Sequence, residues 1–312
     1  MEGYSLKRRL ADLLGEAATS SFLNDRTTYD YLYDAAKDFN KRTHFLTNVQ
    51  SLAVSALTGT YNLNADYVAL ALSDEFNRPF IKYTVNGTDY FIYSKDYQDI
   101  VLANDTSQSD VPQFFSITDA PQLQPLSGTA SSVGASANGE CTLTDSTAPF
   151  GNVSPGDYVH NLTDGSDGIV IAQTSSSQIV CALFGGTNND WSLSDGYVVV
   201  PQARFQIIFT PMPSAVATAS ITYVVRPAPV YSLYRAYKMP PDAELPLCLF
   251  AASKYKQRDR EPMVSQAYMQ EYEMFTMKAA KEYRRGNPAR TGYSVNLDRC
   301  RNKRSTGSGG WR

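Results

Sequence analysis

The chain has 312 residues, 43% hydrophobic and 19% charged, with 21 tyrosines and a formal net charge of −3. That length supplies apolar material for one large or two modest domains, and a chain so rich in aromatics is not disordered throughout. No stretch approaches about 18 consecutive apolar residues, so none reads as a membrane span; the opening Met1-Glu-Gly-Tyr-Ser-Leu-Lys-Arg-Arg9 leads into no apolar signal core, which gives the expectation of a protein made and used inside a cell.

From the N-terminus, Leu6, Leu10, Leu13 and Leu14 predict a short amphipathic helix over 4–14, ended by Gly15. A second helix is predicted over 25–43, with Leu32, Ala35, Ala36 and Phe39 on one side. Asn24 or Thr27 can cap its start, and Lys41 and Arg42 suit its negative end. The pattern then turns to strands: 51–58 and 67–72 around a 59–66 turn, and 80–85 and 89–94 around Asn86-Gly87. That dipeptide between alternating apolar positions is the strongest hairpin signal in the chain.

Residues 118–200 are rich in Ser, Thr, Gly and Asp. Short β runs at 168–172, 178–183 and 197–200 are separated by turn signals such as Ser154-Pro-Gly-Asp157 and Gly185-Gly-Thr-Asn-Asn189. They predict a small all-β module, thin and held only by its apolar alternation. Residues 204–210 and 220–226 predict a further strand pair, ended by Pro227 and Pro229. A helix follows from Pro241 or Asp242 through 245–256. Another begins near Pro262 and ends at Arg285, with Gly286 and Pro288 as stop signals. Along it Tyr268, Tyr272, Phe275, Ala279 and Tyr283 form one apolar stripe that reads as helix–helix core. From Asn287 the chain is basic, glycine-rich and without periodicity, an extended tail expected to order on a partner.

Charge is unevenly distributed. Residues 1–99 carry 10 basic and 13 acidic side chains. Residues 100–225 carry one basic residue, Arg204, against 10 acidic, and residues 226–312 carry 17 basic and 8 acidic. The acidic middle is unsuited to nucleic acid, whereas the basic end suits DNA or an acidic protein surface.

The residues of enzyme chemistry are sparse. The two histidines, His44 and His160, fall in different predicted modules, and each reads as structural. There is no Gly-x-Ser-x-Gly elbow and no phosphate-cradling glycine loop. Asp164-Gly-Ser-Asp167 lacks the distal glutamate of a calcium loop and reads as a turn. Cys141, Cys181, Cys248 and Cys300 lie too far apart in sequence for a metal motif and read as reduced thiols. No enzyme, metal or cofactor is expected.

Set end to end, the order is helix, helix, β region, strand pair, helix pair, basic tail. This order resembles the head-to-tail adaptor (head completion, or connector) proteins of tailed bacteriophages. Phe22-Leu-Asn-Asp25 with Tyr31-Leu-Tyr-Asp-Ala-Ala-Lys-Asp-Phe-Asn-Lys-Arg-Thr43 resembles the family's long first helix. Gly59-Thr-Tyr-Asn-Leu-Asn-Ala-Asp-Tyr67 resembles its following strand turn, with Asn64 where a proline is common. Phe205-Gln-Ile-Ile-Phe-Thr-Pro-Met-Pro213 and Ile221-Thr-Tyr-Val-Val-Arg-Pro227 resemble its closing strand pair. Pro240-Pro-Asp-Ala-Glu-Leu-Pro246 and the helices after it resemble the last helical pair. The middle, from Gly156-Asp-Tyr-Val-His-Asn-Leu-Thr-Asp-Gly-Ser-Asp-Gly168 to Asp195-Gly-Tyr197, is similar to a small β module scattered among phage structural proteins.

The expectation is therefore an α+β fold. A helical-bundle core, the N-terminal helices plus the C-terminal helix pair, carries strand pairs over 1–117 and 199–286. A small β-barrel- or sandwich-like domain is inserted at 118–198 and can be excised without harm to that core, and the basic tail spans 287–312.

The resemblance implies a virion protein of the neck, assembled in the host cytoplasm. It would form a ring of about twelve copies matching portal symmetry, continue the DNA channel without sequence-specific binding, and offer a platform to tail or nozzle proteins. It would not meet a membrane. The tail residues Arg284, Arg285, Arg290, Tyr293, Arg299, Arg301, Lys303, Arg304 and Trp311 would dock on the portal protein, and the stripe Tyr268, Tyr272, Phe275, Ala279 and Tyr283 would serve the helical core and subunit contacts. The main alternative is a tail fibre or spike module binding receptor or glycan through an exposed platform of Tyr158, Trp191 and Tyr197. A DNA-binding protein acting through the tail and a cell-wall hydrolase are further alternatives.

Overall fold

The computed structural model describes residues 2–73, 78–99 and 107–286. It corrects the expected fold class. The chain is mostly β, with two curled half-barrel sheets and 29% helix, and the helices do not form a bundle core. They pack on one another as a layer whose hydrophobic cluster also takes in Ile169, Ile171 and Ala182 of the β region.

That layer starts with α1 (Gly3–Leu14), which buries Leu6, Leu10 and Ala11 and ends where Gly15 turns left-handed at φ 70°. Helix α2 (Asp25–Thr43) is capped by the Asn24 side chain accepting from the Thr27 N–H, and it buries Leu32, Ala35, Ala36 and Phe39. After the β region come α3 (Glu244–Arg258) and α4 (Pro262–Gly286). Helix α3 is the hub: Leu247, Cys248, Ala251, Ala252 and Tyr255 are fully buried among the other three.

The first sheet gathers β1 (Thr47–Val54), β2 (Thr60–Asn62), β3 (Tyr67–Leu70), β4 (Phe80–Val85), β5 (Thr88–Ser94), β7 (Phe114–Asp119), β14 (Phe205–Thr210) and β16 (Ala217–Val225). Short β6 (Gln108–Ser109) and β15 (Met212–Pro213) pair separately. The order is β1-β16-β4-β5-β7-β14-β2, with β3 also on β16. The β4–β5 hairpin turns on Asn86 and Gly87, both at positive φ (52° and 75°), as a tight primed turn requires. Strands β14 and β16 are not partners, against the expected pair. Strand β14 lies between β7 and β2, and β16 lies between β1 and β4. Each returns to strands laid down before residue 120, so the sheet closes only after the whole middle of the chain. Its two edges face each other across a seam: the Gln50 side chain donates to the Asn62 carbonyl (3.2 Å) and accepts from the Asn64 N–H (3.0 Å).

The second sheet is sequence-local. It comprises β8 (Leu126–Thr129), β9 (Cys141–Thr144), β10 (Tyr158–Asn161), β11 (Ser166–Ser175), β12 (Gln178–Phe184) and β13 (Gly196–Val200), in the order β8-β13-β10-β11-β12-β9. Its edges also converge, through the Ser131 N–H on the Thr144 carbonyl (2.8 Å). It encloses its own core around Leu143, Phe150, Val170, Trp191 and Tyr197. Buried carboxylates support that core, so alternation is not its only support. Asp145 accepts the Tyr197 hydroxyl (2.6 Å), and Asp195 accepts the Asn161 amide (2.9 Å) and the Ser192 N–H (2.8 Å). The outer surface of β11 and β12 contributes Ile169, Ile171 and Ala182 to the hydrophobic cluster of the helices, where Phe184 meets Tyr231. Arg26 of α2 reaches Asp167 (2.5 Å) across the same boundary.

Candidate functional site

Helix α4 is the last described element before the basic tail, and its two faces differ. The inward face holds the predicted stripe. Tyr272 is fully buried, stacks edge-on with Phe250, and donates its hydroxyl to Asp38 of α2 (2.6 Å), which also pairs with Arg42 (2.8 Å). Burial first, and then the Asp38 carboxylate, push the Tyr272 hydroxyl well above its ordinary pKa, so it stays a neutral donor. Tyr268 donates to the Leu13 carbonyl (3.0 Å), tying α4 to α1. Phe275, Ala279 and Tyr283 are partly buried against the same cluster, and the Tyr283 ring packs on Phe45 at 4.9 Å.

Those three residues also line a groove of about 450 Å³ that opens at the end of α4 nearest the tail. Its other wall includes Arg9, Leu245 and Pro246, and Lys278 and Glu282 stand at its rim. The groove lining mixes apolar side chains with charged ones, so it can hold an apolar side chain with a polar flank. The tail residues Arg290, Tyr293, Arg299, Arg301, Lys303, Arg304 and Trp311, and the side chains of Arg284 and Arg285, lie outside the described residues.

The outward face of α4 presents Met263 (81% exposed), Met274 (59%) and Met277 (59%), with Val264 beside them. Sequence reasoning stopped at the tyrosine stripe and missed this second one. The signal was present, since Met263, Ala267, Gln270, Met274 and Met277 follow one another at helical spacing. Exposed methionines offer flexible, polarizable contact area that suits a protein surface.

The residues of the alternative readings are placed elsewhere. Trp191 and Tyr197 are core residues with no exposure, so with Tyr158 alone at the surface the expected aromatic platform does not form. His44 ends α2 in a left-handed conformation, and His160 sits in β10 opposite Asp167 and Val198. Asp164 accepts the N–H groups of Thr187, Asn188 and Asn189, which lower its pKa and hold that loop shut against the Asp164–Asp167 turn. Cys141 and Cys181 are buried neighbours on β9 and β12, and their mutual contact first, then burial, push the Cys141 thiol far up. Compared with known proteins, the chain matches no protein-family model and no curated protein.

Proposed function

We propose that this chain is a structural virion protein, a head-to-tail adaptor of a tailed bacteriophage. It assembles as a ring beneath the portal, continues the DNA channel and gives the tail its docking platform; it is not an enzyme. The observation that carries this reading is the outward face of α4. It leaves methionines exposed on the helix that leads directly into the basic segment 287–312. On this reading the methionine face meets the neighbouring copy in the ring. The tail, Arg290 to Trp311, docks on the portal, and the groove at Phe275, Ala279 and Tyr283 receives a side chain of the docked assembly. A tail whose ordering cost is met only on its partner makes assembly sequential.

The channel role agrees with the charge layout. Strongly basic walls bind phosphates and slow DNA exit, whereas the acidic 100–225 segment binds them poorly. The test is the mass of the full chain, alone and mixed with the portal ring of the same virus, by mass photometry. The expected result is a gain of about twelve copies on the portal, lost on deletion of 287–312. It is also lost in the triple variant Met263→Lys, Met274→Lys, Met277→Lys, whose circular dichroism stays that of the parent. A portal mass that does not change overturns the reading.

A further inference from the structure

Three of the four cysteines lie among the described residues, and all three are buried free thiols. They differ in what they touch. Cys248 of α3 stands alone, its Sγ donating to the Leu6 carbonyl at 3.5 Å. Cys141 and Cys181 stand together, Sγ to Sγ at 3.5 Å, and each thiol also reaches the carbonyl of the other residue, at 3.5 and 3.6 Å. Cys141 opens β9, and Cys181 lies directly opposite it on β12. Both belong to the core of the second half-barrel, with Leu143, Val170 and Ile179. The Trp191 indole N–H completes the group by donating to Cys181 Sγ at 3.2 Å.

This placement makes the pair bridgeable. Directly opposed antiparallel residues have Cα atoms about 4.5 or 5.5 Å apart, and a disulfide spans about 4.4–6.8 Å between Cα atoms. The backbone is therefore already within reach of the bond, and the sulfurs need only turn from contact into bonding distance. The two residues are 40 positions apart in the chain, so a bond between them closes a covalent loop around β10 and β11. It also fastens β9, an edge strand whose one strand partner among the described residues is β12.

We propose that Cys141 and Cys181 form a redox lock: a dithiol in reducing surroundings that closes to a disulfide where small-molecule disulfides prevail, fixing the edge of the second half-barrel. With glutathione disulfide as oxidant, one cysteine thiolate displaces a glutathione thiolate and forms a mixed disulfide. The second attacks the cysteine sulfur of that bond, forms the Cys141–Cys181 bond and expels the other glutathione. The pair loses two electrons and two protons, and two glutathione thiols carry them away. Burial and the raised Cys141 pKa keep thiolate scarce in the closed sheet. Exchange therefore needs β9 to open locally or the chain to be folding, and the finished bond resists reduction for the same reason. The inference stands apart from the adaptor reading, since neither α4 nor the tail takes part.

The experiment uses the full chain with Cys300→Ser and Trp311→Phe, two tail changes that leave Cys248 as the only thiol outside the pair and Trp191 as the only indole. It is refolded from urea in a glutathione buffer rich in the disulfide, or in dithiothreitol, then denatured, alkylated and peptide-mapped by mass spectrometry. In the oxidised sample the peptides of Cys141 and Cys181 should be linked and two hydrogens lighter, with Cys248 outside the link. The oxidised protein should melt several degrees above the reduced one, and its Trp191 emission should be lower, because a disulfide against an indole quenches it. In Cys141→Ala both differences between the oxidised and reduced samples should vanish. The proposal is overturned if Cys141 and Cys181 end alkylated or singly capped by glutathione, if either links to Cys248 instead, or if the linked protein melts no higher than the reduced one.

Discussion

The two half-barrel sheets solve the same closure problem in different ways. The second sheet draws all its strands from 126–200, so its pairings are local, and buried aspartates brace it from inside. The first sheet joins strands from 47–119 to strands from 205–225. Its core is mainly aromatic and aliphatic, with Tyr83, Phe115, Ile221 and Tyr223 fully buried. Amide and hydroxyl side chains, Gln50 and Tyr61 among them, bridge its seam. The difference bears on the charge of the middle segment. Several of its carboxylates are turned inward as hydrogen-bond acceptors, so a net charge of −9 overstates what the surface presents. A sequence charge count describes a partner surface only after the internal acceptors are subtracted.

The largest expected effect tests whether the second sheet is an appended body. Excising 120–198 with a short linker removes Ile169, Ile171 and Ala182 from the helical cluster, Phe184 from Tyr231 and Asp167 from Arg26. At about 1.5–3 kcal/mol for each buried isoleucine, the loss approaches 5 kcal/mol, comparable to the whole margin of a modest domain. The excised protein should therefore lose helix signal and cooperative melting by circular dichroism. Parental melting would show that the helices need nothing from the second sheet, as the sequence alone suggested.

Next in size is the pin between the sheets. Asp157 is fully buried and accepts from the Ser154 N–H (2.9 Å), the Gln202 N–H (3.0 Å) and Arg204 (2.8 Å), whose side chain is only 9% exposed. Asp157→Ala leaves that guanidinium buried and unpaired, at a cost of about 3–5 kcal/mol. Adding Arg204→Met should restore much of it, because the double change removes both charges together. Urea melts of the single and double variants give the coupling. A single variant that costs under about 1 kcal/mol would place this pair in the weak class of solvated ion pairs.

How much of this was legible before folding depends on how far each signal travels along the chain. Helices α1 and α2 could be read nearly to the residue because Gly15, Asn24 and the Leu/Ala/Phe spacing act within one or two turns. The β4–β5 hairpin was legible for the same reason, since Asn86-Gly87 sets it locally. The partners of β14 and β16 were not. Their alternation says that each is a strand, but nothing in 205–225 says that its neighbours lie before residue 120. That local bias also produced the wrong fold class, because helical stripes are vivid in sequence and strands that close a sheet over long separations are faint. At the candidate site, the tyrosine stripe of α4 was legible, but the direction it faces, inward with the methionines outward, needed the packing.

The smallest expected effect separates the two sheets most finely. The Tyr223 hydroxyl is a hub in the first sheet. It donates to Asp66 (2.8 Å) and accepts from the amides of Asn64 (2.9 Å) and Asn48 (3.4 Å), and burial together with its bond to Asp66 raises its pKa to about 12. It is therefore a neutral donor throughout the physiological range. Tyr223→Phe keeps the ring that packs on Tyr67 and removes only the hydroxyl, for a loss of about 1 kcal/mol. Because those bonds hold β1 to the 64–66 turn, amide exchange should quicken there and in β3, while the amides of β9 to β12 keep their protection. If the sheets are independent cooperative units, the change stops at the boundary between them. If instead the second sheet loses protection by the same factor, both sheets open together, and the Asp157–Arg204 pin joins them into one unit.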